Sequence, residues 1–306
     1  MQTDKIKRIV IWGLRKKYHT HRHIHQAFYK NAMKLGYKTI WVEDEKKSQK
    51  YIQPGDLIIA SEVQGKMIPP KVAFEDYSLP IRDDVKYCLH NYQDVFKKQL
   101  KQDLYINLQV YVNDSENSDT KIDTARYFNT ETRTLYQPWG TDLLPNEFKK
   151  PVYNNSKFVF WIGSIWNNSL NQGNLNEINE LKSALRNRGI YFIKLRFIPD
   201  ILNIFFIRRS RIAPAIAGRF QVNANYLPCR MFKNISYGQL GITNVIKFKD
   251  ILGNTFIQGE SIEEMVENSL NFSKEEYLER TKAQQDIIKN YTYKKSIETI
   301  LSYLNN

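Results

Sequence analysis

Two groups of residues have the types and spacing of a reactive site. The first lies in Tyr226–Asn244, YLPCRMFKNISYGQLGITN. Pro228 suits the first turn of a helix, because its fixed φ fits and its missing N–H would have no partner there. Gly238 suits the left-handed residue that ends one. Between them Arg230, Lys233, Asn234 and Tyr237 recur at i, i+3, i+4 and i+7 and so share one face. Met231, Phe232 and Ile235 lie on the other side, and Gly241–Asn244 reads as a short buried strand. A helix N-terminus offers free N–H groups and the positive end of a dipole, so this arrangement can hold an anion. Asn244 at the strand end adds an amide. Arg219, shortly upstream, can join Arg230 in clamping a diphosphate, since guanidinium binds phosphate oxygens in a bidentate way. A surface helix with a solvated polar face would show the same pattern.

The second group is His19, His21, His23 and His25, four of the five histidines. A neutral imidazole can take a proton from an acceptor hydroxyl. His19 and His25 are the favoured bases, with Arg22 on the His25 face. Spacing by two also suits zinc on an extended chain, but no cysteine or carboxylate nearby completes a metal motif. Capping or packing is the plain alternative. A third stretch, WIGSIW at 161–166, ends a strand. There Gly163 lets a backbone approach a ligand and Ser164 can donate to phosphate or sugar oxygens.

The elements that must position these residues follow from periodicity. RIVIW at 8–12 is a buried strand closed by Gly13, and Arg22–Leu35 is a helix closed by Gly36. KTIWV at 38–42 and DLIIA at 56–60 are further strands, and Val85–Leu89 is a fourth. Strand, helix, strand at this spacing is a βαβ unit. From Asn91 to Thr130 the pattern weakens. Thr134–Gln137 resumes as a strand running into Pro138–Asp142. The polar, proline-bearing segment 145–155 reads as a domain boundary, dividing the chain into 1–148 and 149–306. KFVFWI at 157–162 opens a second series. Helices follow over Asn174–Arg188, Ile201–Arg209, Ile262–Phe272, Ser273–Lys289 and Tyr293–Leu304. Ser273 and Glu276 form a capping box. The expected fold class is α/β, with two Rossmann-like domains facing a cleft and C-terminal helices. Ligands in such sheets bind beyond the carboxyl ends of the strands. That places Gly13, Arg22 and Asp142 on the N-terminal side, and Gly163 and the turn into Pro228 on the C-terminal side.

Composition bounds the function. The 306 residues carry 45 Lys and Arg against 32 Asp and Glu, a net charge of +13, with 42% hydrophobic residues. This is a folded protein with an anionic partner. Two cysteines, Cys88 and Cys229, make no disulfide framework and suit a reducing compartment. No signal peptide or membrane span is expected. The most apolar run, ILNIFFI at 201–207, precedes Arg208, Arg209 and Arg211. It suits a buried helix with a charged end, or a membrane surface. The sequence lacks G-x-G-x-x-G after its first strand and a P-loop, which argues against a dinucleotide dehydrogenase and a P-loop NTPase, and it has no G-x-S-x-G elbow. Asp-x-Asp is absent as well.

The P-x-R-x-F-K-x-x-x-x-G segment from Pro228 to Gly238, followed by GITN, together with the two glycine-ended strand series, resembles bacterial glycosyltransferases of the GT-B fold. It is most similar to the spore-maturation-protein-like (family 1/4-like) branch, in which an Arg-x-Phe-Glu helix ends in glycine before a short strand. The resemblance is clearest over 161–272. It implies metal-independent transfer of a sugar from a nucleotide-diphosphate sugar to a hydroxyl acceptor, as in surface polysaccharide or glycoconjugate synthesis. No cofactor and no nucleic-acid partner are expected. The donor would lie on Gly163, Ser164, Arg219, Arg230, Lys233, Asn234, Tyr237 and Asn244, and the acceptor, a glycan or lipid-linked group, on the N-terminal domain. Lys233 stands where many relatives have Glu, a departure that bears on the donor sugar. The enzyme would be cytoplasmic, with peripheral contact at an anionic inner membrane face. A non-catalytic nucleotide- or glycan-binding module and a basic nucleic-acid-binding protein are the alternatives.

Overall fold

The computed structural model describes residues 6–15, 20–61, 77–111, 119–196 and 198–305. The chain divides into two compact units. One comprises Met1–Gln109, Asp114–Gln137 and Tyr293–Asn306; the other comprises Val110–Asn113 and Pro138–Thr292.

The first unit is built on β1 (Arg8–Trp12), β2 (Lys38–Val42), β3 (Asp56–Ser61), β4 (Lys86–His90), β5 (Tyr105–Gln109), β6 (Thr120–Lys121), β7 (Tyr127–Asn129) and β8 (Thr134–Tyr136). They form one sheet in the order 2-1-3-4-5-8-7-6. All pairs are parallel except β6–β7 and β7–β8. The runs RIVIW and DLIIAS are buried throughout, as parallel strands covered on both faces must be. Helices α1 (Thr20–Lys34) and α2 (Asp94–Lys97) belong to this unit. Val10, Trp12, Ile58, Tyr87, Leu89 and Phe96 make its core. A buried ion pair pins the amino ends of β1 and β3: Arg8 donates to both oxygens of Asp56 at 2.9 and 2.7 Å. The strand order reverses between β1 and β3, and open α/β sheets bind ligands outside the carboxyl ends at such a point. Strands β5, β6 and β7 lie where the sequence pattern weakens. For β6 and β7 length explains that: β6 has two residues and β7 three, too few for periodicity to register.

The second unit comprises β9 (Phe158–Ile162), α3 (Leu175–Arg186), β10 (Tyr191–Leu195), α4 (Asp200–Arg209), β11 (Ala213–Pro214), α5 (Arg219–Asn223), α6 (Cys229–Ser236), β12 (Gly241–Ile242), α7 (Phe248–Leu252), α8 (Ile262–Leu270) and α9 (Lys274–Ile288). Strands β9 and β10 are parallel, as are β11 and β12. The Arg211 N–H donates to the Phe158 carbonyl at 2.7 Å, linking the two pairs. Val159, Trp161, Leu181, Leu185, Ile212, Ile242 and Val266 centre the core.

The division falls at Gln137/Pro138, upstream of the 148/149 boundary read from the polar segment. The Gln137 N–H still joins the first unit's ladder through the Gln109 carbonyl at 2.9 Å. Pro138 has no N–H to extend it. Thr141 then bonds the Tyr291 carbonyl and bridges Thr292, both in the second unit. The last helix, α10 (Tyr293–Leu304), returns to the first unit, where Tyr293 meets Phe28 of α1 edge-on at 5.0 Å. The apolar stripe of Ile297, Ile300, Leu301 and Leu304 predicts a helix but carries no address for its docking partner.

Candidate functional site

In the second unit the end of β9 and the start of α6 together build a seat for one guanidinium. Pro228 is the residue before α6, and Gly238, at φ +90°, lies beyond its end. Arg230 projects from the first turn. Its guanidinium lies 3.7 Å from the centre of the Trp161 ring, and Nη2 donates to the Ile162 carbonyl at 3.1 Å. Gly163 has φ +140°, and a Cβ there would fall on Nη2. Trp161, Ile162 and Gly163 thus hold one side chain by its ring face, a carbonyl and a missing methyl. Burial draws the Arg230 pKa down to about 10, so it stays charged at neutral pH. A guanidinium has further N–H donors of the kind an anion accepts from. Ser164 follows, half-buried.

One turn on, Lys233 lies 3.7 Å from the Asp142 carboxylate, which also accepts from the Tyr237 hydroxyl at 3.0 Å. Burial works to lower the Lys233 pKa, but Asp142, Cys229 and Asp200 outweigh it and hold the ammonium above its ordinary value. Burial and the same two carboxylates push the Tyr237 phenol up. Asp142, placed from sequence on the N-terminal side, lies in the second unit beside α6, because the chain leaves the first unit at Pro138. Asn234 is buried and donates to the Ala213 carbonyl at 2.7 Å, tying α6 to β11. The Asn244 amide is likewise committed to both backbone groups of Ala217. Arg219 is exposed, its backbone N–H donating to Glu177 at 2.8 Å. It lines, with Asn244, Glu177, Glu180 and Glu260, a hollow of about 470 Å³. Lys249 also lines it, so the hollow mixes three carboxylates with two cations. Nothing in the structure brings Arg219 to Arg230.

In the first unit the carboxyl ends of β1 and β4 carry a histidine group. His25 is buried with its ring against Gly13, where any Cβ would overlap it. The Trp41 indole donates to the Gly13 carbonyl at 3.2 Å and meets the His25 ring edge-on. His21 lies one turn away, its ring 6.5 Å from His25 and 6.2 Å from His90. His90, the last residue of β4, is buried with Nδ1 against the Leu108 carbonyl at 2.9 Å, and burial lowers its pKa to about 4. Sequence reasoning missed His90, which stands alone in the chain; only strand order brings it to α1. Arg22 is half-buried on α1, and His19 lies outside the described residues. No group of three His, Cys, Asp or Glu is placed to hold a metal among the described residues.

No protein-family model matches the chain, and no curated protein matches its sequence. Solved structures do. An alpha-glucosyltransferase in complex with UDP and a 13-mer DNA containing a HMU base has a TM-score of 0.57 at 9% identity, covering 96% of this chain and 99% of that one. OtsA in its apo form has a TM-score of 0.49 at 12% identity, covering 95% and 79%. With two α/β units built on parallel strands, the chain has a fold of the GT-B type.

Proposed function

We propose that the chain transfers a sugar from a nucleoside-diphosphate sugar to a hydroxyl acceptor. The observation that carries this is the seated Arg230: a charged guanidinium fixed at a strand end on a helix N-terminus, with Lys233 on the same face. The donor diphosphate would lie there, neutralised by these side chains and the helix dipole without a required metal. Gly163 and Ser164 line the same strand end. Asn234, Asn244 and Tyr237 support the site by holding the backbone and Asp142, and Arg219 acts in the neighbouring hollow. If transfer inverts the anomeric centre, the hydroxyl proton goes to the histidine group of His25 and its neighbour His21, next to Gly13 and Arg22. The R-x-F-K helix supports a place near the spore-maturation-protein-like branch.

For the acceptor, a surface glycan or lipid-linked hydroxyl is one reading. A hydroxyl on DNA is the second, favoured by the net charge of +13 and by the DNA in the UDP-bound alpha-glucosyltransferase. A thermal-shift panel of UDP, GDP, CMP, ADP and dTDP tests the donor site. One diphosphate should raise the melting temperature by mass action, and Arg230→Ala should weaken its binding by about tenfold or more, the loss of a charge-assisted contact. A shift that Arg230→Ala leaves intact would remove the phosphate assignment. Labelled-sugar transfer to hydroxyl-bearing DNA and to lipid-linked glycans then separates the acceptors.

A further inference from the structure

Helix α4 contains the most apolar run of the sequence, ILNIFFI, followed by Arg208 and Arg209. A helix apolar on all sides belongs in an interior. Only one side of α4 is there: Ile204 and Ile207 pack with Ala213, Tyr237 and Ile162. Ile201, Leu202 and Phe205 are 76%, 40% and 41% exposed. Their spacing places them on one stripe with Arg209. The stripe continues onto the sheet. Phe205 meets Phe206 at 5.3 Å, Phe206 meets Phe160 at 5.1 Å, Phe160 meets Phe158 at 6.2 Å and Phe158 meets Tyr191 at 5.9 Å. Phe158 and Tyr191 are themselves exposed. Parallel strands normally have both faces covered, yet α4 covers this face of β9 and β10 only in part. Single exposed apolar residues need no explanation; a contiguous set does.

The charge bordering this surface is positive. The Arg209 guanidinium lies 3.4 Å from the centre of the Phe205 ring. Arg208 donates to the Lys150 and Tyr237 carbonyls, and Arg211 to the Asn154 carbonyl and the Asn155 amide oxygen. The hydrogen-bond partners of Arg208 and Arg211 are neutral. The helix's own carboxylate, Asp200, sits at the opposite end and acts on Lys233 and Tyr237.

We infer that the α4 stripe and the adjoining rings of β9 and β10 dock the protein on an anionic lipid surface, with Ile201, Leu202 and Phe205 entering the headgroup layer and Arg209 meeting lipid phosphate. Aliphatic and aromatic side chains with arginines at the end of the stripe are the composition of an interfacial helix. The net charge of +13 adds long-range attraction to anionic lipid. A nucleic acid could stack on the Phe158 and Tyr191 rings, but Ile201 and Leu202, the aliphatic part of the stripe, offer it neither a ring nor a charge. A second copy of the chain would set +13 against +13, with arginines meeting arginines. This inference stands apart from the nucleotide-sugar reading, because lipid binding needs no donor.

Sedimentation with vesicles tests it, using phosphatidylcholine alone and phosphatidylcholine with about one third phosphatidylglycerol. The full chain should bind the anionic vesicles at least about tenfold more tightly, and rising salt should weaken that binding. The pair Ile201→Asp with Phe205→Asp should reduce it by about tenfold or more, and Arg209→Ala by about fivefold. Circular dichroism and melting temperature check that the variants fold; if the aspartate pair does not, Ile201→Ser with Phe205→Ser replaces it. Absence of vesicle binding would overturn the inference. So would binding that the paired substitution leaves unchanged, which would mean general charge attraction. A dimer in sedimentation equilibrium, or oligonucleotide binding, that the pair abolishes while vesicle binding persists would assign the surface to that partner instead.

Discussion

At the scale of residues, the Arg230 seat and the histidine group both depend on glycines that a single methyl would disturb. Gly163→Ala puts a Cβ on the Arg230 guanidinium and a side chain at φ +140°. Such a backbone costs about 1–3 kcal/mol. The substitution should lower the urea midpoint and also weaken nucleotide-diphosphate binding, because Arg230 must leave the Trp161 ring. Binding at the wild-type level would show that the seat does not set the guanidinium's position. His90 gives a pH signature. Its folded pKa is lowered to about 4 from an ordinary 6.5. Between these values the unfolded chain takes up a proton that the native chain refuses, so stability falls as pH drops. By linkage this one residue accounts for a loss of about 2 kcal/mol between pH 7 and 5. Urea unfolding of His90→Asn at both pH values should show a correspondingly shallower decline. An undiminished slope would place the acid sensitivity elsewhere. Of the site residues, Arg230, Lys233 and Gly163 are legible from helix phase and strand ends. The partnership of Asp142 with Lys233 and Tyr237 is not, since 91 residues separate Asp142 from Lys233 along the chain.

At the scale of elements, local signals perform well where they act locally. Ser273 accepts from the Glu276 N–H at 3.2 Å while the Glu276 carboxylate accepts from the Ser273 N–H at 2.9 Å, the capping box read from four residues. Burial is slight there, and the Ser273 bonds lower the Glu276 pKa. Ser273→Ala should cost about 1 kcal/mol in chemical denaturation, and no measurable loss would mean that α9 is held by packing alone. Helix α6 follows its signals too, from Pro228 to Gly238, yet its face is not uniformly polar toward solvent. Asn234 and Tyr237 share the phase of Arg230 and Lys233, but both are buried and serve backbone and carboxylate. Helix α4 runs the other way: its composition points to the interior, yet Ile201, Leu202 and Phe205 are exposed.

At the scale of the whole molecule, α10 is the element whose placement is least local. It closes the first unit from the far end of the chain: Tyr303 stacks on Phe128 at 4.2 Å, and Arg133 reaches the Tyr303 carbonyl at 3.2 Å. Truncation before Tyr293 should therefore expose the first unit to limited proteolysis while the second unit, which ends at Thr292, keeps its resistance. Faster cleavage confined to the second unit would contradict this division. None of the described helices is long and apolar enough to cross a membrane, so the lipid contact inferred for α4 is one of surface docking.

The sequence by itself determined the fold class, most helices and buried strands, the capping box and the cationic face of α6. Each of these is set by interactions within a turn or two of chain, or by a burial pattern that repeats at the period of the element. Tertiary structure alone decided which strand ends lie side by side. That choice brought His90 to His21, sent Asp142 to α6, returned α10 to the first unit and left one face of α4 uncovered. These outcomes depend on strand order and on how completely one layer covers another, and neither is written in any local run of residues.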